Sequence, residues 1–196
     1  TIQACLFDMD GVLTRTATVH AAAWQQMFDE YLRRRSDRTG EPFVPFDLAR
    51  DYSDYIDGRI RSDGTRAFLR SRGITLPEGT PDDDGSKETV HGLSNRKNAL
   101  VVEHIRKDGV DVYPGSWRYL REVREAGLRV GVVSASANTP DVLRVTGLDA
   151  LIGARVDGLI AAREGLAGKP APDTFLAGAA AVGVHPSATA VFEDAI

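Results

Sequence analysis

The sequence predicts an α/β protein, with a doubly wound parallel-sheet core and a helical domain inserted after the first strand. Three observations predict it. Ile2 to Phe7 is a short apolar run that ends in acidic residues, as a buried strand does. From about residue 110 onward, apolar runs of strand length alternate with segments of helical periodicity, the pattern of a parallel sheet with crossover helices. The stretch between them is mostly helical in pattern. The expected division is therefore a core of residues 1–15 and 110–196 and a helical cap of residues 16–109. No internal repeat is visible.

The elements follow in order. From about Thr18, one helical row holds Val19, Ala23, Met27 and Tyr31, and the adjacent row holds Trp24, Phe28 and Leu32. Thr16 or Thr18 is the candidate N-cap. Residues 36–66 are charged, aromatic and irregular, and read as short helices and loops. "RAFLRSRGI" reads as a helix ending at Gly73. "LPEGTPDDDGSKE" is a polar loop, and "RKNALVVEHIRKDG" a helix stopping at Gly109. In the last third, "SWRYLREVREAG", "TPDVLRVTG" and "TFLAGAAAVG" read as helices. "RVGVVSAS" and "ATAVFED" read as strands with polar ends. An insert after the first strand is expected over the carboxyl ends of the strands, where open α/β sheets bind ligands.

Composition narrows the function. With 196 residues and 42% hydrophobic residues, the chain can bury a normal core. A net charge of −4 argues against nucleic acid as a partner. The run Arg33–Arg35 reads as a solvated helix face. Cys5 is the only cysteine, so no internal disulfide forms, and the expected compartment is the cytoplasm. No apolar run is long enough to span a bilayer, so no membrane partner is expected. A monomer is expected. The first residue is Thr1 rather than methionine, so a trimmed start is expected.

Four polar clusters fall at strand ends or just after them. Asp8 and Asp10 are two residues apart, so in an extended segment both carboxylates can face one cavity. Unneutralised, they would repel each other and raise a pKa; a hard cation such as Mg2+ takes such oxygen ligands. A carboxylate is also a nucleophile able to form an acyl phosphate. Ser134-Ala135-Ser136 offers hydroxyls and backbone N–H groups to a phosphate. Lys169, before Pro-x-Pro, reads as a cation held in an extended, stiff loop. Glu193 and Asp194 can complete a metal's oxygen shell. Taken singly, each cluster is equally an ordinary turn, helix cap, surface lysine or helix-start acid pair.

In order and spacing, the four clusters resemble the motifs of the haloacid dehalogenase superfamily: "FDMDGVL", "VVSAS", "GKPAPD" and "FED". The resemblance implies a Rossmann-like core. It makes Asp8 the nucleophile and Asp10 the general acid and base. Mg2+ would be held by Asp8, the Asp10 backbone carbonyl, Glu193 and Asp194. Ser134, the Ala135 amide and Lys169 would grip the transferring phosphoryl group.

A narrower resemblance is to the β-phosphoglucomutase-like subfamily, through Thr16, His20, Ala23 and Trp24 in "TxxxHxxAW" and through "RKN", "DVYPG", "SASAN" and "DGRIRSD". It implies a sugar phosphate as substrate and the interconversion of β-glucose 1-phosphate and glucose 6-phosphate through a bisphosphate. By that resemblance Gly58 lies near the sugar and Arg61 binds the phosphate not being transferred. Lys97 contacts sugar or phosphate, and His20 helps set the position of Asp10. Thr16 belongs to the same substrate-binding set, and Ser136 and Asn138 help hold the distal phosphate. Other readings stay open for the cap: a structural His20, an Arg61–Asp63 ion pair, and Lys97 as a surface residue at a helix start.

Three positions depart from the subfamily pattern. Ala137 and Asp57 stand where lysines are expected, and Arg15 stands where an acid is expected. The loss of two cations keeps a sugar-phosphate phosphatase, acting for example on trehalose 6-phosphate, as the alternative; a catalytically inactive binding protein is a third. Family members usually continue past the fourth motif with a helix and a further strand, so a longer parent protein is expected.

Overall fold

The computed structural model describes residues 1–195. The chain divides into two compact units, Thr1–Ala17 with Val110–Ile196 as unit 1 and Thr18–Gly109 as unit 2.

Unit 1 is built on four parallel strands: β1 (Ala4–Phe7), β2 (Arg129–Val133), β3 (Ala154–Val156) and β4 (Thr189–Phe192). Their order across the sheet is β3-β2-β1-β4. The chain builds outward from β1 through β2 to β3 and then returns to the far side of β1. The topological switch point therefore lies between β1 and β4, and ligands bind beyond the carboxyl ends of such strands. Phe7 is in register with both Val132 and Phe192, so β1 and β4 end level and β2 runs one residue further. β1 is fully buried, as its unbroken apolar run requires. Behind the sheet, Leu6, Val133, Val156, Ala179 and Val182 form a core cluster.

Helices complete the unit. In chain order, after α1 (Thr16–Thr39), α2 (Arg50–Tyr55), α3 (Arg61–Ser71) and α4 (Val90–Asp108), the helices of unit 1 are α5 (Pro114–Glu125), α6 (Thr139–Thr146), α7 (Gly158–Glu164) and α8 (Asp173–Ala181). α5 packs on β2, and α8 packs on β1, β2 and β3. Pro114 begins α5, where a missing N–H costs nothing. Asp157 caps α7 by accepting from the Leu159 and Ile160 amides. β3 and α7 have no counterpart in the sequence reading.

Unit 2 is helical: most of α1 (Thr16–Thr39), then α2 (Arg50–Tyr55), α3 (Arg61–Ser71) and α4 (Val90–Asp108). Both rows read from the α1 sequence lie in one cluster with Phe46, Phe68, Leu93 and Val101. Phe28, fully buried, stands at its centre, with ring centroids of Trp24, Phe46 and Phe68 at 5.3, 5.4 and 4.1 Å. In the arginine run, Arg33 lies over the Phe43 ring and Arg35 pairs with Glu41.

Three local expectations are corrected. α1 starts at Thr16, so neither Thr16 nor Thr18 is an N-cap in front of it; the Thr16 hydroxyl is drawn elsewhere, as described below. α4 starts at Val90, capped by Thr89, which makes Lys97 a mid-helix residue rather than a helix-start one. Lys169 lies in a turn closed by the Ala171 amide on the Gly168 carbonyl, with a cis Lys169–Pro170 bond, rather than in an extended loop. Among the described residues, no helix is long and apolar enough to cross a membrane.

Candidate active site

Three of the motif clusters of unit 1 directly follow β1, β2 and β4, and the remaining one, at Lys169, reaches the first and last of them from the turn before α8. Asp8 follows β1 directly, and its amide still donates to the Phe192 carbonyl at 2.9 Å, which places it beside the end of β4. Its carboxylate is 6% exposed and accepts from Lys169 Nζ at 2.8 Å. The same ammonium donates to Glu193. One cation is thus shared by two carboxylates. Desolvation, with Glu193 and Asp10 adding repulsion, pushes Asp8 up to about 8 against the pull of Lys169. Burial alone would lower Lys169, but its two carboxylate partners hold it above the ordinary lysine value.

Asp8, Glu193 and Asp194 each offer a carboxylate oxygen, and the three lie within 4.8 Å of one another. An all-oxygen, anionic donor set of this kind fits a hard divalent cation. The raised pKa of Asp8 points the same way, since Lys169 by itself does not keep the carboxylate ionised at neutral pH. Gly11 makes the cluster possible. Its φ is +89°, and a Cβ there would lie 2.1 Å from Asp194 Oδ2. Gly11 belongs to the quoted first motif, yet the sequence reading gave it no role; a glycine directly after Asp-x-Asp is the signal that was present.

Asp10 lies within a tight turn, in which the Leu13 and Thr14 amides both donate to the Met9 carbonyl at 2.9 Å. The Thr16 hydroxyl donates to Asp10 Oδ1, and Thr16 is itself 2.7 Å from the Thr14 hydroxyl. Thr14 and Thr16 are both buried, so Asp10 is oriented by a hydroxyl pair. The two acids of the first motif therefore have different partners: Asp8 meets the Lys169 ammonium beside the Glu193 and Asp194 carboxylates, and Asp10 accepts from the Thr16 hydroxyl.

The loop after β2 is a second polar nest. Ser134 Oγ accepts from the Ser136 amide at 3.1 Å, and Ser136 Oγ accepts from the Asn138 amide at 3.2 Å. A serine hydroxyl has one proton to give. Both are acceptors here, which leaves each O–H able to donate to a phosphate oxygen. The Ala135 amide makes no hydrogen bond among the described residues. Asn138 precedes α6 without capping it through its side chain.

The remaining expected residues belong to unit 2. Lys97 is 4% exposed; its Nζ lies 2.7 Å from His20 Nδ1 and 5.0 Å from the Trp24 ring. It is not a surface residue. An ammonium can only donate, so Nδ1 of His20 accepts and the proton of the neutral ring sits on Nε2. Arg61, at the start of α3, is half-buried, and desolvation lowers its pKa. It does not pair with Asp63, which pairs with Arg66 at 2.7 Å. Its guanidinium donates to the neutral Asn95 Oδ1 at 3.3 Å. Gly58 has φ +68° in the turn before α3. Arg15 lies over the Tyr113 ring at 4.8 Å within unit 1, and Asp57 is exposed.

Comparison with known proteins agrees with this arrangement. The haloacid dehalogenase-like hydrolase family matches residues 2–196. The chain is 58% identical over 195 residues to the β-phosphoglucomutase of Mycobacterium bovis, covering 100% of this chain and 74% of that protein. The Bacillus subtilis β-phosphoglucomutase is 29% identical over 194 residues, covering 99% and 76%. Among solved structures, β-phosphoglucomutase from Clostridium difficile has the same fold, with a TM-score of 0.76 at 24% identity, covering 99% of this chain and 77% of that one. With three motifs at strand ends, Lys169 of the remaining one reaching Asp8 and Glu193, and the match running over both units, the chain is a β-phosphoglucomutase-like enzyme of the haloacid dehalogenase superfamily.

Proposed function

We propose that this enzyme is a Mg2+-dependent phosphotransferase that interconverts β-glucose 1-phosphate and glucose 6-phosphate through the 1,6-bisphosphate. The observation that carries the choice of reaction is the 58% identity to a protein named for it. The strand-end geometry supports the chemistry independently.

Asp8 attacks the phosphoryl group and becomes an aspartyl phosphate; Asp10, oriented by Thr16, protonates the leaving oxygen and later takes the proton of the attacking hydroxyl. Ser134, the Ala135 amide and Lys169 hold the phosphoryl oxygens, where charge stabilisation does most of the catalysis. Bound by Asp8, the Asp10 carbonyl, Glu193 and Asp194, Mg2+ would supply neutralisation of carboxylate and phosphoryl charge. Arg61 binds the phosphate not being transferred, a role supported by a half-buried guanidinium whose hydrogen-bond acceptor is neutral. Ser136 and Asn138 also contact that phosphate. Gly58 and Lys97 contact the sugar phosphate, and His20, held by Lys97, helps set the position of Asp10. The core and cap of the enzyme correspond to residues 1–15 with 110–196 and to residues 16–109. The setting is a cytoplasmic monomer.

Ala137 and Asp57, where the pattern calls for lysines, favour a phosphatase as the second reading. The test is 31P NMR of the purified protein with Mg2+ and β-glucose 1-phosphate. Glucose 6-phosphate is expected, with dependence on a bisphosphate primer. Inorganic phosphate as the sole product would overturn the mutase in favour of the phosphatase.

A further inference from the structure

Asn95 was not among the residues that motif or resemblance brought forward, and it stands at the centre of a hydrogen-bond relay in unit 2. Its Nδ2 donates to two backbone carbonyls, Pro81 at 2.9 Å and Asp83 at 2.8 Å. A carbonyl can only accept, so the amide nitrogen must face that loop. The oxygen then faces the other way, and there it accepts from Arg61 Nη2 at 3.3 Å.

The parts that hold Asn95 are themselves fixed. Asp83 is buried and accepts from the Thr80 amide and hydroxyl, from Lys87 Nζ at 3.0 Å and from the Thr89 hydroxyl at 2.6 Å. Thr89 in turn caps α4 through the Gly92 amide at 2.9 Å. The acidic loop and the first turn of α4 are therefore one hydrogen-bonded body. α3 is pinned to α4 by the buried Thr65–Ser94 hydroxyl pair at 2.8 Å, one helical turn beyond Arg61 and one residue before Asn95. Both ends of the Asn95–Arg61 contact are thus anchored by groups that bind no substrate.

The chemistry of the acceptor matters as much as its place. A carboxylate at this position would orient Arg61 and also cancel its charge. An amide oxygen orients it and leaves the full positive charge for an anion. Among the described residues, no carboxylate forms an ion pair with Arg61.

We propose that Asn95 is a positioning residue that aims the Arg61 guanidinium at the non-transferred phosphate, with the 80–89 loop as its support. This rests on the reading of Arg61 as a ligand of that phosphate. A double-mutant cycle separates the two. Steady-state isomerisation of β-glucose 1-phosphate, with bisphosphate primer, is measured for Asn95→Ala, Arg61→Ala and the double variant, with the share of inorganic phosphate followed by 31P NMR. Asn95→Ala is expected to raise KM about ten-fold, the size of an oriented hydrogen bond to a charged group, and to raise the inorganic-phosphate share. In the Arg61→Ala background it should add nothing. An equal cost in both backgrounds is what a merely structural residue would give, and it would overturn the positioning role while leaving Arg61 as a ligand. If Arg61→Ala itself leaves KM and the phosphate share intact, the reading of Arg61 fails and this inference with it. Asn95→Asp keeps the side-chain size, so it serves if the alanine variant fails to fold. It should raise KM at least as much, by pairing with Arg61, and an Asn95→Asp variant with wild-type KM would count against the proposal.

Discussion

In unit 1 the buried ammonium of Lys169 stands between two carboxylates, Asp8 and Glu193. In unit 2 the buried ammonium of Lys97 stands against an imidazole and the Trp24 indole, and Arg61 leans on an amide oxygen. The first arrangement is an assembly of mutually compensating charges at the ends of parallel strands. The second sets Lys97 beside aromatic rings and aims Arg61 with an amide oxygen, which orients the guanidinium without neutralising it. The difference teaches how a phosphotransferase can divide its labour. Charge that must be tuned for chemistry is set among other charges. Charge meant to meet a dianion is held by neutral groups on a body stabilised by packing.

The sharpest way to break this comparison is at Asp8. Asp8→Asn is expected to abolish phosphoryl transfer, because the nucleophile is gone. It should also change the pH dependence of stability in EDTA. The Asp8 carboxyl binds its proton more tightly folded than unfolded, with a pKa of about 8 against an ordinary 3.8. Its contribution is therefore complete below its unfolded value and is lost as pH rises toward 8. Melting curves from pH 5 to 8 should fall less steeply with pH in Asp8→Asn than in the wild type; identical slopes would mean that Asp8 is not the strained member of the charge group.

Unit 2 is tested through its packing. Phe28→Ala should cost about 3–5 kcal/mol, the range for a buried aromatic whose cavity collapses only in part. The two tryptophans fall one in each unit, Trp24 and Trp117. Urea unfolding followed through Trp24 in a Trp117→Phe background would read the loss where it occurs. Ser94→Ala, which removes the hydroxyl pair with Thr65, should cost only about 1 kcal/mol in the same assay. Were Ser94→Ala the costlier of the two, unit 2 would be held by polar contacts, and the contrast with unit 1 would dissolve.

What the sequence made legible follows the same division. The strand ends were readable because β1 and β2 are unbroken apolar runs closed by polar residues, so Asp8 and Ser134 announced their places. The α1 rows were readable because burial on one face imposes a period. β3 was not: three residues flanked by Gly153 and Asp157, with exposed Arg155 in the middle, carry no periodicity. A surface Lys97 stays open as an alternative in the sequence because a lysine inside an amphipathic helix is ordinarily solvated, and only the tertiary placement of His20 and Trp24 closes it. Asn95 left no local signal, since its partners come from a loop and from another helix. The turn at Lys169 escaped because Pro-x-Pro suggested extension, while the contact with Asp8 comes from 161 residues away in sequence.

The shared register of β1, β2 and β4 has a consequence for mutation by length. Asp8 and Glu193 each directly follow a strand at the same level, and Ser134 follows β2 one residue further on, so the strands act as rulers that bring three distant segments to nearly the same mark. Deleting one residue inside β1 would shift Asp8 by about 3.3 Å and turn it to the opposite face. Adding a residue to the loop between α3 and α4 would leave every one of those marks where it is. Tolerance to insertion should therefore vary far more steeply along the chain than tolerance to substitution, with its minimum in four residues, Ala4–Phe7.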